Sequence, residues 1–539
     1  MKHFRRIGVT LVVLVLLVTL VGIAGFTACK PEEKKPVVLT FAKAGDAVKL
    51  DPADVTDGES VTVMDNIFEG LVRYKPGTTE IEPCLATSWD ISDDGKVFTF
   101  HLRKGVKFHD GTDFNADAVV FSLERQRDPN HPFHKYGEWA YWGWVFGAVE
   151  KTEKVDDYTV KITLKEKFAP FLTTMAMFTA FIVSPTSAEK WGEEWYAHPV
   201  GTGPFKFVEW IKDDHITLEK FDDYWGEKPK IDKLIFKVIP DASVRLLELQ
   251  QGNVQGMEFP NPDDLEKIKS DPNLKLLSQP GLNIGYLAMN MGEDTPGYDP
   301  HFGDVRVRKA VNYAINKKDI VKHLYKGTAV PAKNPLPPTL WGYNDEIEDY
   351  EYNPEKAKEL LAEAGYPDGF ETNLWAMPVA RPYMFDPQKI AEAIQADLEK
   401  VGIKAKIVSY DWGTYLQKTE AGEHAMCLLG WTMDYPDPDN ILYVLLDKDA
   451  ATVGSAGNVA FYRNDKVHEL NMKAKQTYDR AEREKYYKEI QEIIHEDAPW
   501  VCLAHANQML VFRNNVKGFK LYPTGDYHFD TTYIEEEGK

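Results

Sequence analysis

"DPQKIAEAIQADLEKVGIKAKIVSY", residues 386–410, carries the fold class in one stretch. It predicts a helix capped at Asp386, followed by a strand. The segment before it, "NPEKAKELLAEAGYPDGF" (353–370), has Asn353 as a helix cap, Pro354 in the first turn, apolar residues at helical spacing and Gly365 as a stop. Strand–helix alternation across 353–431 therefore predicts α/β layers.

The same grammar extends upstream. "VFTFHLR" (97–103) and "YTVKITL" (158–164) alternate as strands do, and "NADAVVFSLERQ" (115–126) is a helix with Asn115 as its cap. No low-complexity tract or short repeat interrupts the pattern.

Downstream lies an acidic, proline-stiffened bend, "GWTMDYPDPDN" (430–440), between the apolar run Ala425–Leu429 and "ILYVLL". "DPDN" predicts a helix start over that second run, with Asp437 or Asp439 capping and Pro438 in the first turn. Those two acids are thereby assigned to structure. Asp434 is not needed for the cap. It is a candidate ligand contact, against the plainer readings of a surface turn or a cation site. Trp431 is a pocket wall or plain core.

The N-terminus bears on the compartment. Lys2, Arg5 and Arg6 precede "IGVTLVVLVLLVTLVGIAGF", the layout of an export signal. The signal covers residues 1–28 and breaks at "FTAC", which resembles a bacterial lipobox ending at Cys29, with Phe26 a less usual residue there. A charged tether, "KPEEKKP", follows over 29–35 and beyond. The reading is a lipoprotein anchored by acyl chains at Cys29, outside the cytoplasm. An uncleaved helical anchor is the alternative, and it leaves the rest of the chain on the same side of the membrane.

A chain of 539 residues exceeds what one core supports, so two or three lobes are expected. The net charge is −21; residues 1–28 hold three basic residues and no acid, so the remainder carries −24. That balance argues against nucleic acid as a partner. The 13 tryptophans suit an aromatic-lined cleft or a large core equally. Beyond Cys29, only Cys84, Cys427 and Cys502 occur, without metal spacing; they are one disulfide plus a thiol, or buried free thiols. No phosphate loop, nucleophile elbow or zinc-protease motif is present. "HPFH" (131–134) reads as a turn, and "GTGPF" (201–205) as a tight backbone bend.

Five stretches carry a family resemblance: "TFHLRKGVKFHDGTDFNADAVVFSLER", "HPVGTGPFKFVEW", "GLNIGYLAMN", "RVRKAVNYAINKKDI" and "KNPLPPTLWGYNDEIEDYEYNPEKAKELLAEAGY". Together they resemble the extracytoplasmic solute-binding proteins of ABC peptide importers, the peptide/nickel-binding family, and the dipeptide-binding members most. The resemblance implies an α/β, two-lobed periplasmic-binding-protein fold with an inserted subdomain, hinged around a ligand cleft. It implies lobe I over 36–68, 202–282 and 507–539, the inserted subdomain over 69–201, and lobe II over 283–506. It implies a monomeric binding protein and not an enzyme, with no cofactor. The partners would be a dipeptide or short peptide and the transmembrane subunits of an ABC permease. The alternative is the same fold holding a longer oligopeptide, an oligosaccharide, haem or a nickel chelate.

By the same resemblance, Asp434 falls where the family holds a peptide's α-ammonium. "AMPVARPYMF" (376–385) brings Arg381 to the α-carboxylate, with Tyr383 nearby. The loop Thr56-Asp57-Gly58 lies by the ligand, and Gly58 would let backbone approach it. Met433, Tyr435 and Pro436 depart from the family pattern. Physical chemistry supports the pairing. An extended dipeptide separates its two charges by roughly 6–7 Å, at ~3.3–3.6 Å per residue. An Asp and an Arg at matching separation form two charge-assisted contacts, and the planar Arg fork grips both carboxylate oxygens.

Overall fold

The computed structural model describes residues 35–535; the expected signal segment and Cys29 lie outside them. The predicted helices form where their caps stand. Asn115 Oδ1 accepts from the amides of Asp117 and Ala118 to start Ala116–Arg127. Asn353 and Asp386 cap Pro354–Glu363 and Pro387–Glu399, each with proline in the first turn. Pro387–Glu399 buries Ile390, Ile394 and Leu398 on one face. Each such side chain contributes about 1.5–3 kcal/mol on leaving water.

That helix joins the strands Phe370–Trp375 and Ile403–Val408, which run parallel, and Phe370–Trp375 also pairs in parallel with Met426–Thr432. The α/β layering expected of 353–431 is therefore present. Met426–Thr432 continues antiparallel onto Asn283–Met289, and that onto the long strand Trp500–Arg513. The far half of Trp500–Arg513 pairs with Leu274–Pro280 and Gly256–Glu258. The sheet then proceeds through Val38–Lys43, Lys233–Val238, His215–Lys220 and Phe205–Ile211.

Two large apolar cores flank this run. One gathers side chains from Leu282 to Ala506. The other gathers Leu39 to Phe236 and Leu510 to Phe529, and includes one outlier, Tyr435 from the acidic bend. The chain crosses between the cores along two adjacent strands, near 280–283 and 505–507. Asn283 ties the crossings together: its Nδ2 donates to the Ala506 carbonyl at 2.9 Å and its Oδ1 accepts the Ala506 amide at 2.8 Å.

Within the second core, the strands Ala86–Ile91, Val97–Leu102, Thr159–Leu164 and Val149–Asp156 form a separate antiparallel sheet. Buried polar bonds fasten this part to its surroundings. Asp51 takes two hydrogen bonds from Arg125, at 2.6 and 2.7 Å. Glu69 accepts from Thr202, Tyr224 and Trp225, each at 2.8 Å. "GTGPF" is the expected bend, because Gly201 and Gly203 press on backbone: a Cβ on Gly201 would sit 2.1 Å from the Ile67 carbonyl oxygen.

The helix expected over "ILYVLL" is shorter than predicted, spanning Asp439–Leu442 with Pro438, which has no capping side chain, at its cap. Asp437 Oδ1 accepts the Asp439 amide at 3.1 Å, as expected of a cap, and Asp437 is structural in a second way. It lies buried against Arg483 at 2.8 Å and Tyr487 at 3.1 Å. Asp439 accepts from Tyr435 at 2.9 Å. Cys84, Cys427 and Cys502 are all free and buried, which decides between the two cysteine readings. In "HPFH", His131 Nδ1 accepts the Phe133 amide and His134 Nδ1 meets the Arg125 carbonyl, as in a local turn.

Candidate functional site

A cavity of about 1020 Å³ opens between the two cores. One side supplies Thr56, Asp57 and Glu59, and the other supplies Arg381, Phe385 and Trp412. Arg381 sits in a bend after Phe370–Trp375, closed by reciprocal backbone bonds with Met384 at 2.9 Å each. Its guanidinium lies over the Trp412 ring, 4.4 Å from the centroid, and 3.9 Å from Glu59 across the gap. An arginine seated over an aromatic face in a cavity wall suits an anionic ligand group.

The loop 56–58 has two jobs. Asp57 caps the helix Gly58–Met64, its two oxygens taking the Ser60 amide at 2.9 Å and hydroxyl at 2.8 Å. Thr56 is exposed in the cavity wall. Gly58 looks onto open space, with no atom within 4 Å of where a Cβ would be.

Asp434 lies outside that wall, at a second point where the cores meet. Its Oδ1 accepts from Tyr141, 293 residues away, at 3.2 Å. Asn440 organises the rest: its amide donates to Asp434 Oδ2 at 3.4 Å, and its Oδ1 accepts the Asp434 amide at 3.2 Å and the Trp431 indole at 3.0 Å. Burial pushes the Asp434 carboxyl up to about 7, against the pull of Asn440 and Tyr141. Among the described residues no Lys or Arg forms an ion pair with it, so it offers a negative charge to an incoming cation.

Sequence reasoning thus named two oppositely charged groups that both stand where the cores face each other. It also named Tyr383, which packs beneath the site: it is 7 % exposed, its ring presses on Gly430, and its hydroxyl points at Met377 Sδ. Trp431 is partly buried and oriented through Asn440. Glu59, Tyr141, Trp412 and Asn440 were missed. Of these, Asn440 carried a signal, since it was read as part of a helix start.

Buried thiols and imidazoles in the core are shifted by desolvation. Burial raises the Cys427 thiol, and pushes Cys502 up to about 12. Burial also lowers His424 and His505 to about 4, leaving both neutral.

Comparison with known proteins bears on the fold and the family. The family model described as bacterial extracellular solute-binding proteins, family 5 Middle, matches residues 80–452. A dipeptide-binding protein of Escherichia coli (strain K12) is 42% identical, over 92% of this chain and 94% of that one. Heme-binding protein A of Haemophilus influenzae is also 42% identical, over 95% and 94%. Among solved structures, the periplasmic binding protein DppA from Helicobacter pylori, in complex with the peptide STSA, superposes with a TM-score of 0.85. It is 42% identical, and the match covers 93% of this chain and 99% of that one. The fold is accordingly the two-lobed α/β arrangement of periplasmic binding proteins, with an inserted subdomain and a cleft between lobes. The chain belongs to the bacterial extracellular solute-binding proteins of family 5.

Proposed function

We propose that this protein captures short peptides, dipeptides foremost, outside the cytoplasmic membrane and hands them to the transmembrane subunits of an ABC importer. The observation that carries the reading is the pair of opposite charges at the meeting of the cores: Arg381 in the cavity wall and Asp434 beside Tyr141. A zwitterion matches such a pair, and the relatives named for dipeptides support the choice. The role is binding and delivery rather than catalysis.

Lobe I is assigned to 36–68, 202–282 and 507–539, the inserted subdomain to 69–201 and lobe II to 283–506. The two apolar cores support the separation of lobe II from the rest, and the separate four-stranded sheet supports the inserted subdomain. The working unit is a monomer, tethered to the membrane through lipid on Cys29. Replacing Cys29 with Ala should release the protein from membranes in detergent partitioning; retention equal to wild type would sink the lipid anchor.

One observation favours a second reading, a larger solute in the same cleft. The cavity, at about 1020 Å³, stands at the top of the range of roughly 300–1,000 Å³ for drug-sized ligands. A relative named for haem and a neighbour holding a four-residue peptide fit that size. Native mass spectrometry of the protein with its co-purified ligand separates the two. Bound masses of two-residue peptides are expected; haem, a sugar or only longer peptides would overturn the dipeptide reading.

A further inference from the structure

Glu59 enters the cavity wall from the first turn of Gly58–Met64, on one core, and Arg381 enters from the other. Their side chains are 13% and 15% exposed, and Glu59 Oε1 lies 3.9 Å from Arg381 Nη1. Glu59 is also fixed from behind. Its Oε2 is 3.3 Å from the ammonium of Lys43, which donates as well to Glu59's own backbone carbonyl. Lys43 is 1% exposed, so Glu59 cannot swing away without stranding a buried cation.

Two further buried carboxylates, Asp65 and Glu258, feel the charge of Lys43, and Glu258 also feels Glu59. Burial first, and then the charge of Glu59, push Glu258 up to about 8. The direct ion pair of Lys43 is with Glu59. Glu59 Oε2 is buried with no hydrogen-bond partner among the described residues. Oε2 faces Lys43 and Oε1 faces Arg381, so the carboxylate is held between the two cations.

A carboxylate arriving at Arg381 must settle on a guanidinium that already faces a carboxylate. Two like charges ~6 Å apart at an effective dielectric near ~20 repel strongly enough to change affinity by tenfold or more. We propose that Glu59 is a specificity-determining residue, which competes with a ligand's terminal carboxylate for Arg381 and holds down the preference for free-acid peptides over peptides with a neutral C-terminal end. This rests on the reading that Arg381 takes the ligand's carboxylate.

The test is titration calorimetry of Ala-Ala and of its C-terminal amide, on wild type and on Glu59→Gln. Glutamine keeps the shape and an acceptor for Arg381 but removes the charge. The two ligands differ only in the C-terminal group, so the ratio of their Kd values reads the contribution of the carboxylate. That ratio, amide over acid, should rise about tenfold or more in Glu59→Gln. A ratio that stays the same or falls overturns the competition. A ratio near one in both proteins overturns instead the assignment of Arg381, and the competition with it. No binding of either ligand to either protein overturns the peptide reading itself. Should stranding Lys43 unfold the single variant, Lys43→Met combined with Glu59→Gln removes both charges and is read by the same ratio.

Discussion

Asp434 and Arg381 should each be coupled to one end of the ligand. Losing one partner of a buried charged contact costs ~2–5 kcal/mol, because the surviving charge is stranded. At ~1.4 kcal/mol per decade this is roughly 30- to several thousand-fold in affinity. Asp434→Asn should impose that loss on a free dipeptide and much less on an N-acetylated one; Arg381→Ala should do the same for a free acid against its amide. Equal losses for blocked and free peptides in calorimetry would sink the pairing. The pH dependence has a definite sign. With its carboxyl up at about 7, unliganded Asp434 loses its charge as pH falls through that value, so affinity drops on the acid side. A peptide α-amino group deprotonates near about 7.7–8.0, so affinity drops again on the alkaline side. A narrow optimum between the two is expected in calorimetry from pH 5 to 9, and a flat profile would count against Asp434. Both charges can be nominated from the sequence because a family pattern and simple electrostatics point at the same residues. Their partners cannot. Tyr141 meets Asp434 across 293 positions, and no local spacing encodes that contact.

Elements were read well wherever the signal is local. Asn115, Asn353 and Asp386 cap helices because each has a short acceptor facing the next turn's amides. The acidic bend was legible only in part. Asp437 accepts the Asp439 amide at 3.1 Å as a cap would, but its carboxylate is also claimed by Arg483 and Tyr487, about fifty residues downstream. Burial raises the Asp437 carboxyl, and the charge of Arg483 pulls against it. Asp437→Ala should therefore cost about 3–5 kcal/mol of stability by stranding the Arg483 cation. The double variant Asp437→Leu with Arg483→Met should recover much of that loss. Denaturant melts of the three proteins check it; a single variant as stable as wild type would make the pair ornamental. Asp434 shares this bend, so the rigidity that Arg483 confers on Asp437 also positions the candidate ammonium contact.

The molecule as a whole behaves as a trap if its two lobes can turn about the paired crossings at 280–283 and 505–507. The crossings are few and adjacent, and Asn283 locks them to each other by side-chain bonds to Ala506, so rotation can be taken up beside a fixed pivot. This architecture was only half legible. Alternating strands and helices announced α/β layers, but the strand order jumps in sequence, and a single strand, Trp500–Arg513, serves both cores. Nothing local in its residues says where one core ends. The site supplies the reason to close: Glu59 and Arg381, and Tyr141 and Asp434, come from opposite cores, so a ligand that bridges them gains its full contact free energy only when the lobes meet. A ligand shifts that equilibrium only by its differential affinity for the closed form. Dipeptide at saturation should therefore reduce the radius of gyration in small-angle scattering of the wild type. The same concentration should leave Asp434→Asn more open, because half of the bridging charge is gone. Identical scattering with and without ligand, at concentrations where calorimetry shows full occupancy, would mean that the cleft binds without closing, and the contacts from opposite cores would then have to be explained as a rigid wall.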